Sequence, residues 1–223
     1  LGRLLRRLES HPRFAEMLGI VEELALAQGA QNLQIHGRSD LPWTVDVPPT
    51  LGYRVTQRNR ALRLDLATLN TSDERTDALE ILSYPELATR RLDTWERDVW
   101  RLEMDLMADV PLPEPFQDIP FERFRSQLHS PHKRLAAMFV ALDGDALVGL
   151  TQLLPNNADP TIAATGLTGV LRSHRRRGIA RSLKLHALRW ARDHGFQKIY
   201  SAPGANHPLG ELHVDRGCEL CHE

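Results

Sequence analysis

Residues 167–191 (LTGVLRSHRRRGIARSLKLHALRWA) constrain the fold of this chain more than any other segment. The segment begins with an apolar run typical of a buried strand and passes through arginines on both sides of Gly178. It continues with apolar residues at helical spacing from Ile179 to Ala191, and Gly195 is the predicted C-cap. A strand, a turn and a helix in this order place the free N–H groups of the helix's first turn at the end of the strand. Such groups bind anions because the helix dipole lies behind them.

Positive charge is concentrated in the same stretch. The whole chain has a formal net charge of −1, so this charge acts locally and gives no overall attraction for nucleic acid or membranes. A singly charged anion would not need so many cations, whereas a pyrophosphate would use them. No carboxylate occurs between Asp159 and Asp193, where the positive residues are Arg172, Arg175, Arg176, Arg177, Arg181, Lys184, Arg189 and Arg192.

The other elements predict an α/β (α+β) fold with a mixed central sheet and flanking helices. Two apolar runs flank Asp143-Gly144, which is the signal for a hairpin because glycine supplies the positive φ of the turn. Leu62, Leu64 and Leu66 alternate with polar residues, as in a half-buried strand. Further strands are predicted at 29–37, 161–171 and 197–202, and helices within 84–107.

The polar stretch NTSDERTDALE predicts a domain boundary near residue 72, which divides the chain into domains 1–72 and 73–223. Residues 27–53 resemble residues 193–218, with similarly spaced glycines. This weak repeat favours two copies of one fold, the first of them incomplete. Chance similarity between helix-Gly-strand units is the alternative.

The motif from Arg175 to Ala180, RRRGIA, resembles the Gln/Arg-x-x-Gly-x-Gly/Ala signature of GNAT-family N-acetyltransferases. As in that family, a strand that ends in Thr168-Gly169-Val170 precedes the motif. Residues 206–218 resemble the family's closing element, in which an Asn begins a helix that runs to a Leu-Gly-Phe turn. The resemblance covers residues 80–223, and the repeat looks like part of a second, degenerate copy, as in tandem members of the mycothiol synthase-like type.

The resemblance implies acetyl-CoA as the acyl donor and an amine of a small molecule or peptide as the acceptor. Main-chain groups of 168–170 would pair with the pantetheine arm, N–H groups of 176–181 would hold the pyrophosphate, and Asn206 would contact the pantetheine end. No metal is expected. The implied cofactor-binding residues are Thr168, Gly169, Val170, Arg175, Arg176, Arg177, Gly178, Ile179, Ala180, Arg181 and Asn206.

Acyl transfer to an amine requires a base for the ammonium proton, donors for the oxyanion and an acid for the departing thiolate. The backbone N–H groups near Val170 and Leu171 are the candidate oxyanion donors. His213 stands where family members often carry a Tyr that acts as the acid, although other members carry Asn there. The sequence assigns no general base.

Other functions stay open at this stage. One is a non-catalytic acyl-CoA-binding regulatory module. Another is a basic nucleic-acid-binding module, which the aromatic content of 6% disfavours because stacking side chains are scarce. The sequence CELCH at 218–222 is a weak signal for zinc or haem, and ordinary packing is the default.

The chain begins with Leu1, and we expect it to be a piece of a longer protein. No apolar run approaches the ~18 residues of a membrane span. Its two cysteines, Cys218 and Cys221, are too close together for a disulfide framework, which agrees with a reducing compartment. We therefore expect a cytoplasmic protein without membrane or nucleic-acid partners, and leave a homodimer open.

Overall fold

The computed structural model describes residues 11–59, 61–69, 79–110, 116–131, 133–201 and 219–222. The chain divides into two units, Leu1–Asn59 with His222–Glu223, and Arg60–Cys221. Among the described residues, no helix is both long enough and apolar enough to cross a bilayer.

The first unit contains helix α1 (His11–Ala27) and helix α2 (Trp43–Thr50). Phe14 packs edge-to-face on Trp43, with ring centroids 4.9 Å apart, and Val47 is buried beside them. The strand predicted at 29–37 is wrong, since these residues form turns and irregular backbone. In the described part of this unit they have no neighbouring strand to pair with, and an isolated strand leaves its backbone groups unpaired.

A seven-stranded sheet forms the centre of the second unit. Its spatial order is β2-β3-β4-β5-β6-β1-β7, and of the pairings from β2 to β1 only β5–β6 is parallel. The strands are β1 (Ala61–Asp65), β2 (Glu80–Ser83), β3 (Met138–Asp143), β4 (Ala146–Pro155), β5 (Ile162–Val170), β6 (Lys198–Ser201) and β7 (Glu219–His222).

Helices cover both faces of this sheet. Helix α6 (Ile179–Asp193) buries Leu183 and Ala187 against one face, together with Phe139 and Val148. The other face carries α3 (Tyr84–Arg90), α4 (Trp95–Met107) and α5 (Phe121–Leu128), whose apolar residues pack on β3 and β4. The predicted α/β (α+β) class with a mixed sheet and flanking helices is therefore confirmed.

Strand β1 is an unexpected part of this sheet. Its alternation was predicted, and Leu62 and Leu64 are indeed buried, at 3% and 2% exposure. It pairs antiparallel with β6, so residues 61–69 lie with the second unit rather than in a first domain of 1–72. The boundary predicted near residue 72 itself lies outside the described residues. The alternating pattern of apolar residues identified this strand. Its partner strand could not be identified in this way, because the paired residues are 133 to 139 positions apart, from Asp65 with Lys198 to Leu62 with Ser201.

The predictions for the second half are largely confirmed. β3 and β4 form the hairpin at Asp143-Gly144, with φ +59° at the glycine. β5 and β6 occur where strands were predicted, and α6 follows the arginine cluster. The C-cap of α6 is His194, and Gly195, the predicted C-cap, follows it with φ +83°, in the left-handed region that glycine tolerates.

Candidate functional site

Strands β5 and β6 separate in the middle of the sheet. Their parallel pairing extends over Ile162, Ala163 and Ala164 of β5. The hydroxyls of Thr165 and Ser201 still meet at 2.8 Å. Beyond that point β5 continues to Val170 paired with β4, and no described strand lies on its other side. Residues 166–170 of β5 therefore form an edge inside the sheet.

The register shows which backbone groups this edge presents. The Leu171 N–H donates to the Val148 carbonyl at 2.9 Å, so residue 171 faces β4. Because N–H groups alternate in direction along a strand, Gly169 also faces β4, whereas Thr168 and Val170 face the open side. The expectation that Leu171 supplies an oxyanion donor is wrong, since its N–H group is already used. Thr168 and Val170 retain that capacity, and the hydroxyl of Thr168 is held by Thr151 at 2.8 Å.

The turn between β5 and α6 has the backbone of an anion site. Arg176 has φ +67° and Gly178 has φ +78°, so two left-handed residues precede the helix. Gly178 caps α6 without any side-chain hydrogen bond. Within the described part of the chain, the backbone N–H groups from Arg176 to Ala180 donate to no protein acceptor. Five successive amides are thus available at the N-terminus of a helix of 15 residues.

Carboxylates from distant segments pair with three arginines of this turn. Arg172 donates from Nε to Oδ1 of Asp109 at 2.8 Å, and Arg175 contacts the same carboxylate. Arg177 donates to Asp143 at 2.9 Å. Arg172, and to a smaller extent Arg175, hold the pKa of Asp109 below its usual value. The turn is therefore less positive than its sequence indicates, and its ion pairs tie it to the end of α4 and to β3.

Arg175 and Arg176 differ in what they can offer a ligand. Arg175 Nε donates to the Val170 carbonyl at 3.1 Å, which connects the turn to the last residue of β5. The exposed side chain of Arg176 has no partner in the described part of the chain, and the neighbouring backbone amides lie in the same turn. Arg181 lies in the first turn of α6 and is partly buried.

A partly buried polar cluster lies on the α4 face of the sheet beside the open edge. Gln152 of β4, only 4% exposed, donates from Nε2 to Oε2 of Glu103 at 3.1 Å. Burial raises the pKa of Glu103, while Lys133 and the Gln152 hydrogen bond act in the opposite direction. The hydroxyl of Tyr84 is fully buried and has no hydrogen-bond partner of normal geometry in the described segments. Burial and the nearby Glu103 charge raise the pKa of this hydroxyl.

Gly166 brings this cluster next to the edge. A Cβ at residue 166 would lie 3.1 Å from both Cβ and Oε1 of Gln152, so the Gln152 side chain occupies the space above the glycine. Gly166 is the first residue of the edge, two residues before Thr168. Gly169 is crowded on the same face, where a Cβ would lie 3.0 Å from Leu106 of α4.

Sequence reasoning missed Glu103, Gln152 and Asp109. One signal could have found Glu103: it lies four residues after Val99 and three before Leu106, on the edge of the buried stripe of α4. A carboxylate beside a buried apolar stripe is partly desolvated, which distinguishes it from the fully solvated carboxylates on the outer face of the helix. Asp109 carried no comparable signal, since its partners are more than 60 residues away.

Two predicted site residues cannot be placed. Asn206 and His213 lie outside the described residues, as does Cys218 of the CELCH sequence. The other predicted residues fall on the end of β5, the turn and the first turn of α6, which are contiguous in the fold.

A family model for the Acetyltransferase (GNAT) family matches residues 93–217. No curated protein sequence matches the chain significantly. Several solved structures share the fold. A GCN5-related N-acetyltransferase from Sphaerobacter thermophilus has a TM-score of 0.64 and 19% identity, over 83% of this chain and 55% of that one.

Two further solved structures are similar. A tandem GNAT protein from the clavulanic acid biosynthesis pathway has a TM-score of 0.57 and 17% identity, over 86% of this chain and 56% of that one. A conserved protein of unknown function from Staphylococcus epidermidis has a TM-score of 0.55 and 11% identity, over 96% and 78%. The chain thus spans just over half the length of the first two structures. Because the family model covers more than half of the chain, including β5, the turn and α6, this chain belongs to the GNAT acetyltransferase family.

Proposed function

We propose that this chain binds acetyl-CoA and transfers its acetyl group to an amine of a small molecule or peptide by direct attack. The observation that carries the proposal is the run of five backbone N–H groups, Arg176 to Ala180, that donate to no acceptor among the described residues. They lie at the N-terminus of α6 and directly after the open edge of β5. A diphosphate can accept hydrogen bonds from these N–H groups, and an extended arm that contains amides can pair with the open edge of β5.

The residues present fit the cofactor on both counts. The amides of the turn would hold the pyrophosphate, and Arg176 would add an unpaired guanidinium. Thr168 and Val170 would pair with the pantetheine arm as an added strand, because their main-chain groups face the open side of β5. Gly169, predicted for the same task, faces β4 and would contribute by its small size. Asn206, and His213 as the acid toward the thiolate, remain proposals from the family resemblance.

Bound acetyl-CoA supplies an activated acyl group as a thioester. The chain's part in the reaction is to orient that thioester and to stabilise the oxyanion that forms when the amine nitrogen bonds to the carbonyl carbon. The outward N–H of Thr168 or Val170 is the proposed donor for this oxyanion, in place of Leu171. The C–S bond then breaks and the amide product leaves, so no covalent enzyme intermediate is needed.

The first unit is proposed to be the remnant of a second GNAT-like copy, in a tandem arrangement of the mycothiol synthase-like type. The internal repeat supports this proposal, and one structure with the same fold is described as a tandem GNAT protein. We propose a structural or substrate-shaping role for this unit rather than cofactor binding.

Thermal unfolding with and without acetyl-CoA tests the proposal. Saturating ligand at about 100 times its Kd adds about 2.7 kcal/mol to the unfolding free energy, or a Tm increase of about 5–10 °C for a chain of this size. The Gly178→Glu variant should show no increase, since its carboxylate repels the diphosphate and its backbone is strained. Gly195→Glu is the matched control, because Gly195 has φ +83° at the other end of α6 and open space around it.

The same titration separates the remaining functions. If acetyl-CoA raises the Tm but no amine releases thiol, the chain is a cofactor-binding module and not an enzyme. A Tm increase with oligonucleotides that falls steeply with salt and ignores acetyl-CoA would indicate nucleic-acid binding. An unchanged Tm of the parent protein with acetyl-CoA would overturn the proposal.

A further inference from the structure

We infer that Glu103, held by Gln152 on the α4 face of the sheet, contacts the acceptor amine and takes its proton. This inference rests on the proposed acetyl transfer. It supplies the general base that the sequence does not assign. Three observations on the described residues carry it, namely the position of Glu103, the direction of attack on the thioester, and an unused polar group nearby.

The position follows from two contacts. Gln152 donates to Glu103 at 3.1 Å, and its own side chain lies against Gly166, where a Cβ would be 3.1 Å away from Oε1. The Glu103 carboxylate is therefore separated from the open edge of β5 by a single amide side chain. Glu103 is partly exposed, so a ligand can reach it, whereas Gln152 is 4% exposed and fixed.

The direction of attack follows from hydrogen-bond geometry. A carbonyl oxygen accepts a hydrogen bond close to the plane of its own substituents. A thioester bound to the outward N–H of Thr168 or Val170 thus lies roughly in the plane of the sheet. A nucleophile must approach its carbon perpendicular to that plane. One side is occupied by α6, which packs on Val170, and the other side presents Gln152 and Glu103.

The third observation is the hydroxyl of Tyr84 in the same cluster. It is fully buried and forms no hydrogen bond of normal geometry with any described residue, and both Glu103 and Gln152 are near enough to affect its pKa. A buried polar group without a partner is rare in folded proteins. An acceptor ammonium bound at Glu103, or a water molecule that accompanies it, would bring N–H or O–H donors into this cluster.

The protons balance as follows. The acceptor arrives as an ammonium, and the Glu103 carboxylate takes one proton to release the free amine. The amine nitrogen bonds to the thioester carbon and the C–S bond breaks. The second proton leaves the nitrogen and the departing thiolate gains one, either the same proton or one from the proposed acid His213. The products are the amide and the CoA thiol, and Glu103 returns its proton to solvent. Among the described residues, the titratable groups that interact electrostatically with Glu103 are Lys133 and Tyr84, and α5 packs against α4 through the apolar Phe124 and Leu128.

The test compares Glu103→Gln with Asp105→Asn. Asp105 is an exposed carboxylate two residues further along α4 and serves as the matched control. Acetyl-CoA should raise the Tm of both variants as in the parent protein. Thiol release is measured with glucosamine, spermidine, an amino acid and a peptide with a free N-terminus. We expect a loss of about 100-fold or more in kcat/KM for Glu103→Gln alone. The low-pH limb of the parent's profile, where Glu103 is protonated, should disappear in that variant.

Stability provides a readout that does not depend on activity. Burial raises the folded-state pKa of Glu103 above its unfolded-state pKa. Ionisation of Glu103 therefore lowers the unfolding free energy as the pH rises from the unfolded-state pKa to the folded-state pKa, and this loss persists at higher pH. The Tm of Glu103→Gln should therefore be no lower than that of the parent protein at pH 8. At acid pH, where Glu103 is protonated, the Tm of the variant relative to the parent should be lower than it is at pH 8. An inactive variant of undiminished stability is the signature of a residue retained for function.

The outcomes are distinguishable. If acetyl-CoA fails to raise the Tm of the parent protein, the proposed function itself fails. If all three proteins bind acetyl-CoA and Glu103→Gln releases thiol at the parent rate, only this inference is overturned. A Glu103→Gln variant that is strongly destabilised at pH 8, or a parent protein that binds acetyl-CoA but acetylates none of the four amines, overturns it as well.

Discussion

Asp109 accepts a hydrogen bond from Arg172 Nε at 2.8 Å, and this pair joins the end of α4 to the turn between β5 and α6. Arg175 shares the same carboxylate and also contacts the Val170 carbonyl. These arginines lower the pKa of Asp109. The carboxylate therefore stays ionised and paired at neutral pH, and the pairs are lost only as the pH falls through this lowered pKa. At neutral pH the turn is therefore held in place before any ligand arrives.

We expect Asp109→Asn to weaken acetyl-CoA binding several-fold, because a turn without this tether must be ordered on binding. The Tm without ligand should change little, since both arginine side chains of these pairs are exposed. Isothermal titration of the variant, with Asp105→Asn alongside, measures the effect. Tighter binding would show instead that Asp109 competes with the diphosphate for the arginines.

Gly149→Ala should destabilise the fold more than Gly169→Ala. A Cβ at residue 149 would lie 2.9 Å from the Gly169 carbonyl oxygen, which the β4–β5 pairing holds in place. At residue 169 the nearest atoms belong to the Leu106 side chain, which can move. Denaturant unfolding should give a loss of about 1–3 kcal/mol for Gly149→Ala. Equal losses would contradict this explanation.

Leu64→Ala tests the placement of β1 in the sheet. Leu64 is 2% exposed and pairs with Ile199 of β6 in the core beneath α6. Its truncation should cost about 2–5 kcal/mol of unfolding free energy. Leu92→Ala, at a residue 79% exposed, is the control and should be nearly neutral. A neutral Leu64→Ala would mean that β1 is not an integral strand.

Tyr84→Phe should stabilise the protein in the absence of ligands. The hydroxyl is buried and has no hydrogen-bond partner of normal geometry among the residues that the structure describes. Its removal relieves a desolvation penalty of about 1–3 kcal/mol, while the ring keeps its packing against Trp95. Chemical denaturation of the two proteins measures the gain. A loss of stability would show that the hydroxyl has a partner in solution.

The sequence predicted the part of the site that depends on neighbouring residues. The order from the end of β5 through the RRRGIA motif to α6 was recognised because a positive-φ glycine, a helical stripe and an apolar strand are local signals. The residues proposed to bind acyl-CoA, apart from Asn206, therefore lie on consecutive elements of the structure. Local signals also misled, since residues 29–37 have the composition of a strand but no partner to pair with.

What the sequence could not supply concerns residues far apart in the chain. Eight cations in one segment indicated a strongly positive site, yet Asp109 and Asp143 pair with three of them. The register between β5 and β4 decides that the backbone N–H of Val170 is available to a ligand, whereas the N–H of Leu171 donates to Val148. The role proposed for Glu103 depends on its hydrogen bond from Gln152, whose side chain lies against Gly166.

By itself, then, the amino-acid sequence determined the strand–turn–helix that can receive a diphosphate, because backbone dihedral preferences and side-chain periodicity act over a few residues. The tertiary structure alone decided which amides remain available, which charges are neutralised and which carboxylate faces the reacting edge. Those properties depend on burial and pairing between segments 23 to 139 residues apart, from Leu171 with Val148 to Leu62 of β1 with Ser201 of β6.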